Sequence, residues 1–117
     1  MPGEARYLLT VAMDVDPDKE ALFNEVYDTE HVPLLSRVPG VLSIRRYRNA
    51  PLTMTIGGER KSIVMETQPR YLAVYELASP DVLVSDAWAK AIDEGRWATQ
   101  VRPYTRNRQH ALHERLD

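Results

Sequence analysis

The sequence contains no cysteine, which excludes disulfide bonds, thiolate metal sites and cysteine nucleophiles together. It also lacks an excess of positive charge, since 15 basic residues face 17 acidic ones, and nucleic-acid binding is therefore disfavoured. No apolar run approaches the roughly 20 residues that cross a bilayer, and Met1 to Arg6 lacks the basic and apolar regions of a signal peptide. A cytoplasmic location is expected, and any chemistry must use His, Tyr, Asp, Glu, Arg or a bound cofactor.

What is present is typical of one globular domain spanning residues 1–117, with 44% apolar and 27% charged residues. Residues 7–13 are rich in strand formers, and Asp16-Pro17 then marks a helix start. Apolar residues recur at helical spacing up to Leu34, so this helix is one-sided. It is predicted to break near Val32, because the residue before a proline is disfavoured in the helical region.

The second half repeats the order of strand and helix. Residues 41–47 and 71–77 are predicted strands, and a helix follows Ser79-Pro80 and ends at Gly95. Between the strands, residues 49–69 form an excursion that includes a small hairpin through Gly57-Gly58 and is expected to act as a mobile or partner-contacting flap near the cavity mouth. With a polar last strand over residues 104–112, the order is βαββαβ, which is that of the α+β ferredoxin-like fold with two helices on one face of an antiparallel sheet.

Neither face of the predicted sheet has the polar side chains that are typical of a solvent-exposed face. Tyr7, Leu9, Val11 and Met13 alternate with Leu8, Thr10 and Ala12, and the strand over residues 71–77 is apolar on both sides in the same way. Helices cover one face. The other is predicted to pack against a second copy in a homodimer, the alternative being a ligand held within one subunit.

His31 is the first candidate for chemistry. Phe23, Tyr27 and His31 lie four apart along one helix edge, and the carboxylate of Glu30 is adjacent. An unperturbed histidine titrates near pH 6.5, so His31 is a candidate general base oriented by Glu30. The alternative is a capping histidine at the C-terminal end of the helix.

Further candidates lie on the strands and on the second helix. Strand alternation sends Arg46 to one face and Tyr47 to the other, so Arg46 can enter a cavity and bind a carboxylate or enolate, or else pair with surface acids. Tyr75 can donate its hydroxyl to a substrate oxygen or lie in a dimer interface. Trp88 has core spacing, and Trp97 is expected at a cavity mouth or a dimer contact.

The C-terminal histidines and arginines carry weaker signals. His110 and His113 share a face only if the tail is helical, and no third ligand completes a metal site, so a solvated tail is preferred. Arg102, Arg106 and Arg108 indicate a solvated or interface strand.

Several motifs together resemble the dimeric α+β barrel superfamily, in particular its EthD-like branch. They are Y-D-x-E-H-x-P at 27–33, V-P-G-V at 38–41, R-R-Y at 45–47, P-x-Y-L-A-x-Y-E-L at 69–77, S-D-A-W at 85–88 and R-P-Y-T-R-N-R at 102–108. The resemblance implies a dimer with a cavity between each sheet and its helices. Relatives include lactone isomerases, polyketide cyclases, metal-free monooxygenases and haem-binding enzymes, and His31 is the residue that carries over as acid or base. Residues 41–77 hold no second histidine, so the histidine pair of the cyclases is not reproduced.

These observations predict a small cofactor-independent enzyme that transfers a proton on a cyclic or aromatic-derived molecule. His31 and Tyr75 are the expected catalytic residues, and Tyr27, Arg46, Tyr47 and Trp88 the expected substrate contacts. Two alternatives stay open. One is a non-catalytic or stress-associated dimeric binding module that uses the same cavity. The other is a haem-binding or monooxygenase-type relative, for which absorbance in the Soret region is the direct check.

Overall fold

The computed structural model describes residues 5–117, and six strands and three helices are assigned there. The strands are β1 (Tyr7–Val15), β2 (Val41–Arg48), β3 (Leu52–Ile56), β4 (Glu59–Ile63), β5 (Tyr71–Leu77) and β6 (Thr105–Glu114). The helices are α1 (Glu20–Val26), α2 (Val32–Ser36) and α3 (Asp86–Asp93). Two π-helical segments cover Tyr27–His31 and Trp97–Val101, and short 3₁₀ turns cover Pro17–Lys19, Pro80–Val84 and Arg102–Tyr104.

Four strands form one antiparallel sheet in the order β2-β5-β1-β6. The central pair is β1 and β5, with Leu9 opposite Tyr75 and Val11 opposite Ala73. Setting aside the β3–β4 hairpin, this is the ferredoxin-like order, and the predicted α+β fold is confirmed. None of the helices within residues 5–117 is long and apolar enough to cross a membrane.

The main core lies between one face of this sheet and the helices. Alternate residues of β1 and β5, including Met13, Ala73 and Leu77, are buried against Phe23 and Leu35 of the long helical stretch. On the opposite face Leu8, Thr10, Ala12, Leu72 and Val74 are only half-buried. Because side chains alternate along a strand, one apolar face of the sheet is left without a covering layer in the single chain.

The predicted helix break at Val32 is wrong. Val32 has helical angles, with φ −62° and ψ −49°, and the chain continues through Pro33 into α2. A proline inside an α-helix clashes with the carbonyl four residues earlier and donates no hydrogen bond. Here the N–H of Val32 donates to the carbonyl of Tyr27, five residues back, so the turn before Pro33 is a wider π turn. This turn admits the proline without ending the helix.

The excursion contains the predicted hairpin. Strands β3 and β4 pair with Ile56 opposite Glu59 around Gly57-Gly58, and they form a separate two-stranded sheet. Leu52, Met54 and Ile56 share one face of β3 and are 44–48% exposed. A two-stranded hairpin is marginally stable by itself in water, and the apolar side of this one is exposed in the single chain.

His110 and His113, for which a solvated tail was expected, lie in the last strand, and both are exposed. Both residues lie in β6, where residues three apart point to opposite faces. A bulge near Asn107, whose φ is +52°, interrupts the pairing of β6 with β1. The side-chain amide of Asn107 donates to Asp14 and to the carbonyl of Thr67, and these bonds hold the bulge in place.

Candidate functional site

A cavity of about 230 Å³ lies between the helix-covered face of the sheet and the surrounding helical segments. Its apolar wall is formed by Leu9, Val11, Met13, Leu83 and Ile92, and its remaining lining residues are Tyr27, His31, Tyr75, Trp88, Trp97, Arg102, Arg108 and His110. The lining contains two arginines and no Asp or Glu. The cavity is therefore apolar and aromatic, with a positive electrostatic bias.

His31 is buried in the wall of this cavity, with 3% of its surface exposed. Its ring stacks on Trp97 with centroids 4.3 Å apart and planes inclined by 17°, and it meets Tyr27 edge to face at 5.2 Å. Burial, with a smaller contribution from the positive charge of Arg102, lowers the pKa of His31 to about 4. At neutral pH the imidazole is uncharged and able to accept a proton.

The two nitrogens of His31 differ in their surroundings. Nδ1 is fully buried and has no hydrogen-bond partner among residues 5–117, and it is the one such side-chain atom in that range. Since Nε2 is not in this condition and His31 lines the cavity, Nε2 is the nitrogen that a ligand can reach. An unpartnered polar atom next to a cavity costs stability and is a mark of function.

Both members of the His31–Trp97 stack belong to π-helical segments. His31 ends the first segment and Trp97 begins the second. A π turn places its residues at spacings that an α-helix does not allow, and such turns are frequent at functional sites. The geometry of the stack therefore depends on two local departures from α-helical structure.

Tyr27 and Tyr75 join their hydroxyl groups in the same cavity, with the oxygens 3.3 Å apart. One hydroxyl donates to the other, so the second hydrogen of the pair has no acceptor among the described residues. Burial is the main cause that raises the pKa of Tyr27, and it raises that of Tyr75 well above its ordinary value. The pair stays protonated at neutral pH and offers one hydrogen-bond donor to a ligand oxygen.

Glu30 does not orient His31, contrary to the prediction. Its carboxylate accepts from the backbone N–H of Arg96 at 2.9 Å and from Arg96 Nε at 2.5 Å. These bonds hold the pKa of Glu30 below its ordinary value. The capping role for His31 is also wrong, because the helix continues to Ser36. Glu30 instead fixes the position of Arg96, and thereby of Trp97, which follows it in the chain.

Gly95 is the residue that allows this contact, and its replacement by alanine is expected to destabilise the protein by about 2–3 kcal/mol. Its φ is +74°, and an added Cβ would lie 2.6 Å from Oε1 of Glu30, which its bonds to Arg96 hold in place. Gly57→Ala is the control, because Gly57 has φ +61° with no atom within 4 Å of the added Cβ. It should cost only about 1–2 kcal/mol. Urea unfolding measures both, and equal losses would contradict the role of the Glu30 contact.

Neither Arg46 nor Tyr47 lines the cavity, and Arg46 pairs instead with an acid, which is the alternative that the sequence left open. Arg46 is on the helix-covered face, but its guanidinium donates to Asp28 at 2.6 Å and to Asn24 at 2.8 Å. It also lies 4.3 Å from the centroid of the Tyr27 ring, and it is not among the residues that line the cavity. Tyr47 is 51% exposed and lines a different depression on the uncovered face. Arg46 therefore packs against the ring of Tyr27 outside the cavity, while Tyr47 is remote from His31.

Of the other predicted residues, Trp88 contacts Tyr75 edge to face at 5.8 Å and lines the cavity. The structure adds Arg102 and Arg108, which the sequence predicts on a solvated or interface strand, and His110, which it predicts in a solvated tail. For Arg108 and His110 the only sequence signal is the alternation of β6, which the bulge near Asn107 shifts, whereas Arg102 lies in the 3₁₀ turn before β6. Among residues 5–117 no three His, Asp or Glu side chains are close enough together to hold a metal ion.

The low pKa of His31 predicts how stability depends on pH. The unfolded chain binds a proton on this residue below about pH 6.5, whereas the folded chain does so only near pH 4. The free energy of unfolding should therefore fall as the pH is lowered through this window, by up to about 3 kcal/mol from this one group. Urea unfolding at several pH values measures the slope. The free energy of unfolding of His31→Gln should depend less on pH by that amount. An unchanged slope in this variant would show that His31 titrates with its ordinary pKa.

The chain is similar in fold to solved structures of other proteins. No protein-family model matches the chain, and a search of curated proteins returned no significant match. Among solved structures, an EthD family protein from Bacillus halodurans matches with TM-score 0.56 and 16% identity, covering 94% of this chain and 99% of that one. The haem-degrader MhuD from Mycobacterium tuberculosis, with two haems bound in its active site, matches with TM-score 0.59 and 16% identity, covering 95% and 97%.

A mutant of MhuD with two manganese protoporphyrins bound per active site gives TM-score 0.59 and 18% identity, covering 95% of this chain and 96% of that one. At such identities the likeness concerns the fold. It confirms, at that level, the resemblance that the sequence motifs indicate. The chain has the ferredoxin-like α+β fold that an EthD family protein and MhuD also have.

Proposed function

We propose that the protein is a small cofactor-independent enzyme that transfers a proton on a cyclic or aromatic-derived molecule bound in the cavity beside His31. The observation that carries the proposal is the presence, in one apolar cavity, of a neutral buried imidazole and a protonated pair of tyrosines. A base and a hydrogen-bond donor that face the same ligand are the minimum needed for enolisation.

The roles follow from the protonation states. The Tyr27–Tyr75 pair donates its free hydrogen to a carbonyl oxygen of the substrate, where negative charge develops as a proton leaves the neighbouring carbon. Nε2 of His31 accepts that proton. The imidazolium is disfavoured by burial, and the enolate formed beside it offsets part of that cost by charge attraction. Return of the proton to another carbon completes an isomerisation.

The aromatic residues favour a flat ligand. Trp97 and Trp88 line the cavity, and their rings offer broad apolar surfaces to a planar molecule. The volume of about 230 Å³ lies below the roughly 300–1,000 Å³ of pockets for drug-sized ligands. A ligand of one or two rings fits this volume.

Haem, which MhuD binds, is too large for the volume of this cavity. His31 offers an imidazole nitrogen of the kind that ligates haem iron. The cavity of about 230 Å³, however, is smaller than a pocket for an ordinary drug-sized molecule and does not hold a porphyrin. Haem is therefore not part of the proposal.

Deuterium exchange tests the proposal without knowledge of the natural substrate. 2-Tetralone, a two-ring ketone, is incubated with the protein in deuterated buffer, and proton NMR follows the loss of the hydrogens next to its carbonyl. The protein should accelerate exchange over buffer alone. Binding of 2-tetralone, seen through tryptophan fluorescence, without any acceleration would instead support the non-catalytic binding module.

We further propose that the uncovered sheet face packs against a second copy of the chain. Support comes from the half-buried apolar side chains of β1 and β5 on that face and from the exposed Tyr47 of β2, which pairs with Leu72 there. The apolar side of the β3–β4 hairpin would then pack on the partner, in accord with the expected role of residues 49–69 as a partner-contacting flap. We therefore propose that the protein is a homodimer and that it is located in the cytoplasm.

Light scattering at micromolar concentration should accordingly return twice the chain mass of 13.4 kDa. Val74→Lys, on the uncovered face, should shift the mass to that of one chain, because a buried lysine without a partner is strongly disfavoured in an interface. Thr53→Lys, on the polar side of the hairpin, is the matched control and should leave the mass unchanged. A wild-type mass near that of one chain would refute the dimer.

A further inference from the structure

We propose that the ligand of the His31 cavity carries a carboxylate, and that Arg108 binds it together with Arg102. This inference rests on the proposed function, because it concerns the same cavity, and it narrows the substrate class to planar organic acids. Two guanidinium groups and no Asp or Glu line the cavity, so a negative charge is the one kind of charge that its lining attracts.

Arg108 reaches the cavity because of the bulge in β6. Before the bulge Arg106 pairs with Asp14, and after it Gln109 pairs with Ala12, so β6 has one residue more than β1 in this interval. Arg106 and Gln109 both lie opposite residues of the uncovered face, which places Arg108 on the other face, beside His110 and the cavity. Without the extra residue, Arg106 and Arg108 would share one face of the strand.

The two arginines of this strand also differ in their partners. Arg106 donates from Nε to Asp16 at 3.3 Å. The side chain of Arg108 makes no hydrogen bond or ion pair within residues 5–117, although the chain is rich in arginine–carboxylate pairs. A guanidinium with five free donors beside an apolar cavity is suited to bidentate binding of a carboxylate.

Arg102 supplies the second positive charge. One of its terminal nitrogens donates to the carbonyl of Ile92 and to Asp93, and these bonds hold the side chain at the cavity edge. Its remaining N–H groups have no acceptor among the described residues. Asp93 neutralises part of the charge of Arg102 from outside the cavity, and no described acid does the same for Arg108.

A bound carboxylate also bears on His31. The groups facing its imidazole are Trp97 and Tyr27, with Arg102 as the nearby charge. An anion next to Arg102 counters that positive charge and raises the proton affinity of the imidazole. Binding would therefore make His31 a stronger base with an acidic ligand than with an uncharged one.

Benzoate and benzamide test the inference, because they have nearly the same shape and only benzoate is charged. Both tryptophans of the chain line the cavity, so intrinsic fluorescence reports binding, and calorimetry gives the dissociation constants. The wild-type protein should prefer benzoate by about ten- to a hundred-fold. Arg108→Gln should remove most of this preference, and Arg106→Gln, which changes the same residue type on the opposite face, should retain it.

Equal binding of the two probes, a preference that survives in Arg108→Gln, or failure of both probes to bind would each overturn the inference. Calorimetry in two buffers of different ionisation enthalpy adds a second readout. By linkage, the complex of benzoate with the wild-type protein should take up a proton near pH 5, and the complex with His31→Gln should not. The proposed enzyme activity fails separately, in the exchange of 2-tetralone, which is uncharged.

Discussion

Trp97→Ala should destabilise the protein by about 3–5 kcal/mol, the cost typical of removing a buried aromatic side chain. Trp97 is 5% exposed, and its ring contacts three rings of the first helical stretch. Its ring centroid lies 4.3 Å from that of His31, 4.9 Å from that of Tyr27 and 5.9 Å from that of Phe23. Alanine leaves these rings facing a void, and the loss should appear as a lower midpoint of urea unfolding.

Trp88→Ala is the control for this prediction. Trp88 lines the same cavity, but it is half-buried and contacts one ring, that of Tyr75. It should cost clearly less than Trp97→Ala, on the order of 1–2 kcal/mol. If the two variants lose equal stability, Trp97 has no special place in the packing of the site.

His31→Gln should lower the rate of proton exchange by about 10²- to 10⁴-fold, the usual cost of losing a general base. Glutamine keeps polar character and approximate size while removing the basic nitrogen. Stability at neutral pH should fall by only about 1–2 kcal/mol, because His31 is uncharged there, its Nδ1 makes no hydrogen bond, and the loss is that of its stacking on Trp97. Exchange of 2-tetralone and urea unfolding, measured on the same preparation, separate the two effects.

The matched control is His113→Gln, which changes a histidine on the uncovered face of the same sheet. His113 lies opposite Leu8, and its Nε2 is 3.5 Å from the hydroxyl of Thr10. Its replacement should leave the exchange rate unchanged. A His31→Gln protein that unfolds more readily but exchanges at the wild-type rate would show that His31 is a structural residue.

The strands and their order follow from the sequence because they depend on local signals. The prediction of a strand over residues 71–77 has the bounds of β5, and Gly57-Gly58 forms the predicted turn. Glycine and proline act within a few residues, and a two-residue period is visible in a single strand. The βαββαβ order can thus be predicted without knowledge of distant contacts.

The site was less predictable because distant contacts decide it. Glu30 is adjacent to His31 in the sequence, yet its hydrogen bonds go to Arg96, 66 residues away. Arg46 has the predicted face but is held by Asp28 and Asn24. The π turn before Pro33 and the bulge at Asn107 each add a residue to a regular period, and no rule of composition marks where such an addition occurs.

The π turn at Tyr27–His31 has a consequence for how the chain can vary. It holds the rotational phase of the helix between Phe23 and Leu35, both of which are fully buried. The wider turn takes up one extra residue, so deleting one residue there would restore α-helical hydrogen bonds and keep Leu35 in the core. His31 would then lose the spacing that places its ring on Trp97, and Pro33 would clash with the carbonyl four residues before it. Surface loops accept insertions and deletions, but the length of this segment is fixed, so a homologue with a gap within residues 27–31 is expected to lack the His31 site.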